Sequence, residues 1–211
     1  MTTVKTDNNH RRTRPTDKRD KILQAALKIF AQKGFYKAKV TEIAQEANVA
    51  DGTIYLYFNN KHDILISLFE EIMNKIIKRM TEAIHQEPDP LKRITVFALT
   101  HLQLVDENKD LGVIIQVEIR QSSKFMKEYK NERFAQYLNL IARIIEDGQA
   151  SGVIRREVIP GVAKRAFFGA LDEMSRVLVL SPHKKYEVFS AAEQISRIFI
   201  SGLATDSKAQ P

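Results

Sequence analysis

The fold is decided by residues 41–61, TEIAQEANVADGTIYLYFNNK. A helix-turn-helix unit needs a small residue where its helices cross, a turn residue that tolerates positive φ, and apolar residues between the helices. Ala44 suits the crossing, with Ile43 and Ala47 beside it on the inner face. Asn48 takes the turn position, because asparagine is among the few residues besides glycine that tolerate the left-handed region. The stretch therefore predicts two short helices joined by a tight turn.

The second of these helices is expected to run from Asp51 to Phe58. In helix-turn-helix geometry the start of this helix enters the major groove of DNA. Gly52 would let the backbone approach DNA closely, and Thr53 suits a base edge or a thymine methyl. The predicted DNA-contacting residues are Asp51, Gly52, Thr53, Tyr55 and Leu56, and the residues predicted to position the unit on the DNA backbone are Lys39, Thr41 and Lys61.

The aromatic residues of this helix allow two interpretations, as core residues of a small bundle or as DNA contacts. Ile54 and Phe58 are four residues apart and define the buried side, which also favours burial of Tyr57. Tyr55 is then expected at the surface, with its hydroxyl directed at a phosphate. The negative charge of Asp51 favours a helix cap or a contact with a cytosine amine over a phosphate contact.

Positive charge is concentrated in the first third of the chain. Residues 1–61 hold 12 Lys and Arg against 6 Asp and Glu, a net charge of +6, whereas residues 62–211 hold 21 against 20, a net charge of +1. Such an asymmetry points to a polyanionic partner, with nucleic acid first and an anionic membrane surface second. The alternative is a basic tail that only aids solubility.

The rest of the chain shows the apolar spacing of amphipathic helices and predicts an all-α protein. Thr16 and Thr41 are expected N-caps, and Gly34 is the expected stop of the first helix. A long helix is expected over residues 61–85, and further helices are expected over 90–107, 110–122, 124–151, 160–180 and 185–202. The expected parts are a flexible basic arm (1–16), a three-helix DNA-binding domain (17–62), a six-helix ligand-binding and dimerisation domain (63–205) and a tail (206–211).

Several classes of protein are excluded or disfavoured. The chain has no cysteine, which rules out disulfides, thiolate metal sites and a cysteine nucleophile. Its five histidines are scattered, and no phosphate-binding loop or nucleophile motif is present, so neither a metal site, a cofactor nor an enzyme is expected. Since no apolar signal or membrane-spanning run is seen, a cytoplasmic protein is expected.

The segment GTIYLYFNNK at 52–61, preceded by TEIA at 41–44, resembles the N-terminal signature of the TetR family of bacterial repressors. The pattern usually has serine where this chain has Ala50, so Asp51 is expected to replace the missing side-chain cap. The resemblance implies a nine-helix, Ω-shaped homodimer, a palindromic double-stranded operator, and release of repression by a small molecule.

The expected ligand domain contains an apolar helix over 110–122, followed by a helix whose start is rich in lysine and arginine. One interpretation is a core helix with a solvated basic face. The other is a long apolar tunnel with a basic mouth, which suits a fatty acyl chain carrying the phosphates of coenzyme A.

Three further stretches, VADGTIYLYF (49–58), DILISLF (63–69) and EIRQS (118–122), are similar to the branch of the TetR family that represses fatty-acid degradation. This resemblance implies long-chain acyl-CoA as the effector. The ligand-contacting residues predicted from charge and position are Arg120, Gln121, Phe125, Lys130, Arg133 and Phe168.

The last two helices are expected to form the dimer. Ala166, Gly169 and Ala170 would allow close helix approach, and the expected apolar contacts are Phe167, Leu171, Phe189, Ile195, Ile198 and Phe199. The alternative is that these side chains lie in the core of a monomer. A twofold dimer is favoured because one recognition helix offers few contacts.

The sequence is also compatible with two rival functions. One is a repressor of an efflux pump that binds cationic aromatic compounds through Glu118, Asp172 or Glu173. The basic mouth of the expected tunnel argues against it. The other is a small acyl-CoA enzyme, which the lack of a catalytic group argues against.

Overall fold

The computed structural model describes residues 15–113, 132–181 and 186–205, and these residues are predominantly helical. In chain order the helices are α1 (Pro15–Lys33), α2 (Val40–Glu46), α3 (Asp51–Ile54), α4 (Lys61–His85), α5 (Pro90–Glu107), α6 (Lys109–Val113), α7 (Glu132–Ala150), α8 (Pro160–Leu180) and α9 (Val188–Leu203). The described ranges hold no β-strand, only an isolated bridge between Ile154 and Ala204. The predicted all-α class is confirmed.

Several predicted helix starts or ends differ from the structure, including that of the last helix, which begins at Val188 rather than at residue 185. Helix α1 already begins at Pro15, whose fixed φ suits a first helical position, so Thr16 lies inside the helix. Helix α2 begins at Val40, so its N-cap is Lys39 rather than Thr41. Helix α3 ends at Ile54, and the chain continues to Phe58 in tight turns rather than in regular helix.

The N-terminal helices pack around a small aromatic and aliphatic core. Phe30, Phe35, Ile43 and Ala44 are buried there between α1 and α2. Asn48 has a φ of 53°, so the predicted left-handed turn between α2 and α3 is present. This turn sets the direction in which α3 leaves α2.

Helix α4 links the N-terminal unit formed by α1, α2 and α3 to the rest of the molecule. It has 25 residues and is therefore about 37 Å long. The Asn60 side chain caps it by accepting from the backbone N–H of Asp63, and the Asp63 carboxylate accepts from the N–H of Asn59. Buried residues extend along one side of α4 from Ile64 to Ile84, and they belong to one continuous apolar core.

The C-terminal helices surround α5, which contacts α4, α7, α8 and α9. Phe97, Ala98 and Leu102 of α5 are almost fully buried. The short α6 contacts both α1 and α8, which gives the N-terminal unit a second connection besides α4. A Cβ on Gly112 would lie 2.5 Å from a methyl of Val179, so the absence of a side chain there permits close packing of α6 on α8.

Candidate DNA interface and ligand site

Residues 51–58, called here the α3 segment, comprise α3 and the turns that follow it, and they separate a buried side from an exposed side, as the sequence predicted. Ile54 and Phe58 are 1% and 2% exposed, whereas Tyr55 and Leu56 are 59% and 80% exposed. No atom lies within 4 Å of a Cβ built on Gly52, so the start of α3 is open to an approaching partner. In helix-turn-helix proteins the corresponding surface of the second helix enters the major groove.

The start of α3 lacks the side-chain cap that Asp51 was expected to supply. The N-cap is Ala50, with no side-chain capping bond, and its carbonyl accepts from the N–H of Thr53 at 2.8 Å. Asp51 is an exposed residue of the first turn, so its carboxylate is available at the surface. Thr53 is half-buried beside it.

A second exposed surface lies at the start of α2. Lys39 and Thr41 are exposed there, and the Glu42 carboxylate fixes the helix start by accepting from the N–H of Lys39 at 3.0 Å. The two preceding exposed residues, Tyr36 and Lys37, lie on the same loop and were not predicted as contacts. The sequence feature that could have indicated them is the pair of lysines at 37 and 39 within a short interhelical loop.

Lys61 has a structural role that the sequence did not predict. Its ammonium donates to the carbonyl oxygens of Phe35 at 2.7 Å, Ala38 at 3.0 Å and Tyr36 at 3.2 Å. The same nitrogen lies 4.6 Å from the centroid of the Phe35 ring. Because an ammonium has three donors, its hydrogen-bonding capacity is used internally. Burial also lowers the pKa of Lys61. Lys61 therefore holds the α1–α2 loop against α4, and its phosphate contact stays a prediction.

Aromatic side chains form a cluster between α5, α7 and α8 that includes one predicted ligand contact. The ring of Phe168 meets Phe134 edge-on at a centroid distance of 5.1 Å and His101 at 6.0 Å. Phe97 and Tyr137 continue the cluster, with their centroids 5.2 Å apart. Phe168 is half-buried, so it lies at the edge of the core rather than inside it.

A chain of hydrogen bonds passes through this cluster. Ser175 Oγ donates to the carbonyl of Leu171 at 2.8 Å, so it must accept from Nε2 of His101, 3.0 Å away. With its proton on Nε2, the neutral ring accepts at Nδ1 from the Tyr137 hydroxyl, 2.6 Å away. Burial lowers the pKa of His101 to about 4, against a smaller opposing effect of Asp172, and burial raises the pKa of Tyr137. These three hydrogen-bonded side chains are therefore uncharged at neutral pH.

The remaining predicted ligand contacts are only partly described. Arg133 lies in the first turn of α7, where Nη1 donates to Oε1 of Gln136 at 3.1 Å. Four predicted contacts lie outside the described residues, namely Arg120, Gln121, Phe125 and Lys130.

Two features of the described ranges bear on other functions. No helix in those ranges combines the length and apolar character that a bilayer span needs. No group of three or more histidine, aspartate or glutamate side chains there is arranged to hold a metal ion.

Two family models together match most of the chain. Residues 22–68 match "Bacterial regulatory proteins, tetR family", and residues 69–202 match "YsiA-like protein, C-terminal region". The boundary between the two matches falls within α4, the helix that connects the two parts.

Individual relatives match over nearly their whole length. The chain is 35% identical to the fatty acid metabolism regulator protein of Bacillus subtilis, over 86% of this chain and 93% of that protein. The crystal structure of FadR from B. subtilis in complex with stearoyl-CoA superimposes with a TM-score of 0.81 at 34% identity, covering 87% of this chain and 98% of that one. FadR from Bacillus halodurans gives 0.80 at 33% identity, with the same coverage.

Proposed function

The chain belongs to the TetR family of bacterial transcriptional regulators, and we propose that it represses fatty-acid degradation genes and leaves its operator when long-chain acyl-CoA binds. The observation that carries this proposal is the match to FadR, whose B. subtilis structure holds stearoyl-CoA. The identity and the superposition extend over the C-terminal half, where effectors bind, and not only over the DNA-binding unit. The protein acts in the cytoplasm as a regulator and has no enzymatic role.

The DNA-binding surface consists of the exposed α3 segment and the start of α2. Gly52 permits close approach, Thr53 and Leu56 contact base edges, and Tyr55 binds a phosphate through its hydroxyl. Lys39 and Thr41 position the unit on the DNA backbone. Asp51 contributes a base contact to a cytosine amine. This surface belongs to a DNA-binding domain over residues 17–62, followed by a ligand-binding and dimerisation domain over residues 63–205.

A homodimer forms through the outer faces of α8 and α9. Phe189 and Ile198 of α9 are 67% and 69% exposed, and Val162 of α8 is exposed as well. Nothing lies within 4 Å of a Cβ on Gly169, which leaves room for a facing helix. Phe167, Leu171 and Ile195, also predicted as dimer contacts, are instead buried in the core of this chain.

Twofold symmetry then places two α3 segments on a palindromic operator, with half-sites about 34–36 Å apart. The ligand acts by its higher affinity for a conformation in which this spacing is lost. Helix α4 transmits the change, because its buried side packs on α1 at one end and on α5 and α7 at the other. The contact of α6 with α1 gives a second route between the domains.

The effector's acyl chain occupies the region around Phe168 and the apolar part of α7. The hydrogen-bond chain of His101 is uncharged and internally paired, so it suits an apolar chain better than an ionic group. This environment disfavours the cationic aromatic ligand of an efflux-pump repressor. The Glu173 carboxylate, one of the acids suggested for that ligand, is bonded by Arg176 at 2.8 Å.

The proposal is tested by gel-shift titration on promoter fragments of the source genome at fixed salt, because DNA affinity depends strongly on salt. A sharp complex that is released by oleoyl-CoA, but not by free coenzyme A or by oleate, supports both DNA binding and acyl-CoA as the effector. A sharp complex that is released only by a cationic dye would instead indicate a repressor of an efflux pump. Tyr55→Phe should weaken the complex, and Tyr186→Phe, an exposed tyrosine between α8 and α9, should not.

A further inference from the structure

A cleft of about 410 Å³ lies between α4, the start of α5 and α7, and none of the predicted contacts of either site line it. Its volume falls in the range of small-molecule sites. Ile84 and Ile144 supply an apolar floor, and both are buried. Polar side chains of α7 form one wall, and their hydrogen bonds show which chemistry the wall offers.

The wall presents amide N–H groups because neighbouring cations fix the amide orientations. Arg133 donates to Oε1 of Gln136 at 3.1 Å, and Lys164 donates to Oδ1 of Asn139 at 2.7 Å. Arginine and lysine have no acceptor atoms, so each amide must turn its oxygen toward the cation. The NH2 groups of both amides therefore remain as donors. Residues 136, 139 and 143 follow helical spacing, which places Arg143 on the same stripe of α7.

The cleft also has an uncompensated positive charge. Its carboxylate, Asp147, accepts from Nη1 of Arg93 at 2.9 Å, and Nε of Arg93 donates to the carbonyl of Glu87 at 2.6 Å. These two charges therefore neutralise each other. The Arg143 side chain is exposed, and no residue of the described ranges forms an ion pair with it. One guanidinium and two amides thus face the cleft as hydrogen-bond donors above an apolar floor.

We propose that this cleft binds an organic phosphate. The phosphate oxygens accept from Arg143, Asn139 and Gln136, and the attached body lies on Ile84 and Ile144. Three donor groups suit a phosphate, which has at least three acceptor oxygens, and arginine pairs with phosphate through two parallel bonds. The chemistry has two sources, the head group of a coenzyme A thioester or a free nucleotide. Only the first source rests on the proposed effector.

A ligand here would bridge α7 and α4, the helix that transmits the effector response in the proposed function. Ile84 belongs to the last turn of α4, and the donors belong to α7. Binding would therefore favour one relative position of α4 and α7 through differential affinity.

The test is isothermal titration calorimetry of the full-length protein at fixed salt with two probes, ADP and oleoyl-CoA. The variants are Arg143→Gln and Asn139→Leu, with Arg156→Gln as a matched control on an exposed arginine outside the cleft. We expect Arg143→Gln to weaken binding of at least one probe tenfold or more, Asn139→Leu to weaken it severalfold, and Arg156→Gln to leave it unchanged.

The two probes separate the sources. If Arg143→Gln has a lower affinity for oleoyl-CoA, whether or not its affinity for ADP also falls, the cleft binds the coenzyme A head group. If only the affinity for ADP falls, the cleft binds a free nucleotide. The proposal is overturned if both affinities are unchanged in Arg143→Gln, or if Arg156→Gln lowers them equally. If the wild-type protein does not bind oleoyl-CoA at all, the proposed effector is wrong, and the ADP titration still decides the nature of the cleft.

Discussion

The hydroxyl of Tyr137 lies 2.6 Å from Nδ1 of His101, and this bond joins α7 to α5 inside the C-terminal domain. The other ring nitrogen bonds Ser175 of α8. Three helices therefore meet at one imidazole, and the side-chain polar atoms of His101, Tyr137 and Ser175 all have partners. The energetic importance of this arrangement lies in its burial, because a buried polar group that loses its partner is costly.

Removing the Tyr137 hydroxyl should destabilise the protein. Tyr137→Phe keeps the ring but leaves Nδ1 of His101 without its donor, at a cost of about 1–3 kcal/mol in the free energy of unfolding. Urea denaturation measures the change. Tyr186→Phe removes an exposed hydroxyl and serves as the control, with an expected change within about 0.5 kcal/mol. Equal stabilities of the two variants would show that the buried bond contributes nothing.

His101 should make stability fall in acid. Its pKa is about 4 in the folded protein and 6.5 in the unfolded chain, so between these values the unfolded state binds more protons. Stability contributed by the neutral ring is therefore complete above pH 6.5 and decreases as the pH falls toward 4, by up to about 3 kcal/mol. His101→Gln should flatten the curve of unfolding free energy against pH in this window. The same slope in variant and wild type would contradict the assignment.

Two lysines near the DNA surface should behave oppositely. Lys61→Met removes the donors to three carbonyls, so we expect a loss of about 1–3 kcal/mol in unfolding free energy. Lys39→Met should leave stability within about 0.5 kcal/mol but weaken DNA binding. It should also reduce the slope of log affinity against log salt by about 0.9 per lost phosphate contact, about 2 for two protomers. A stable Lys61→Met protein with a reduced salt slope would instead make Lys61 a phosphate contact.

The α8–α9 surface predicts a dimer that one charge can disrupt. Ile198→Glu places a carboxylate in the proposed apolar interface, and burial of an unpaired charge is strongly unfavourable. Light scattering after size exclusion should report a dimer for the wild type and a monomer for the variant. Tyr36→Glu, at a similarly exposed apolar side chain of the N-terminal unit, should remain dimeric. A monomeric wild type would contradict the proposed dimer. A dimeric Ile198→Glu would show that the interface lies elsewhere.

The sequence predicted those features that depend on residues close together in the chain. The left-handed turn at Asn48, the exposed side of α3 and the bounds of α4 follow from local spacing and capping chemistry. It did not predict the function of Lys61, because the carbonyls it binds lie 23 to 26 residues away. The His101 chain was missed for the same reason, since Tyr137 and Ser175 are 36 and 74 residues distant.

The donor-lined cleft shows a second kind of feature that the sequence could not predict. Gln136, Asn139 and Arg143 are recognisable in the sequence as one stripe of a helix, but such a stripe usually faces solvent. Only the positions of Arg133 and Lys164 show that the amide oxygens are already bonded. The sequence therefore places the residues on one face without revealing which of their atoms are available.

In the proposed function acyl-CoA binding and operator binding are coupled, and reciprocal affinity measurements test this coupling. Fluorescence anisotropy gives the Kd of a labelled operator with and without saturating oleoyl-CoA, and calorimetry gives the Kd of oleoyl-CoA with and without saturating operator. Linkage requires both constants to rise by the same factor, and we expect a factor of at least about ten. An operator Kd that is unchanged by saturating oleoyl-CoA would contradict the account, whatever the affinity of the protein for that ligand.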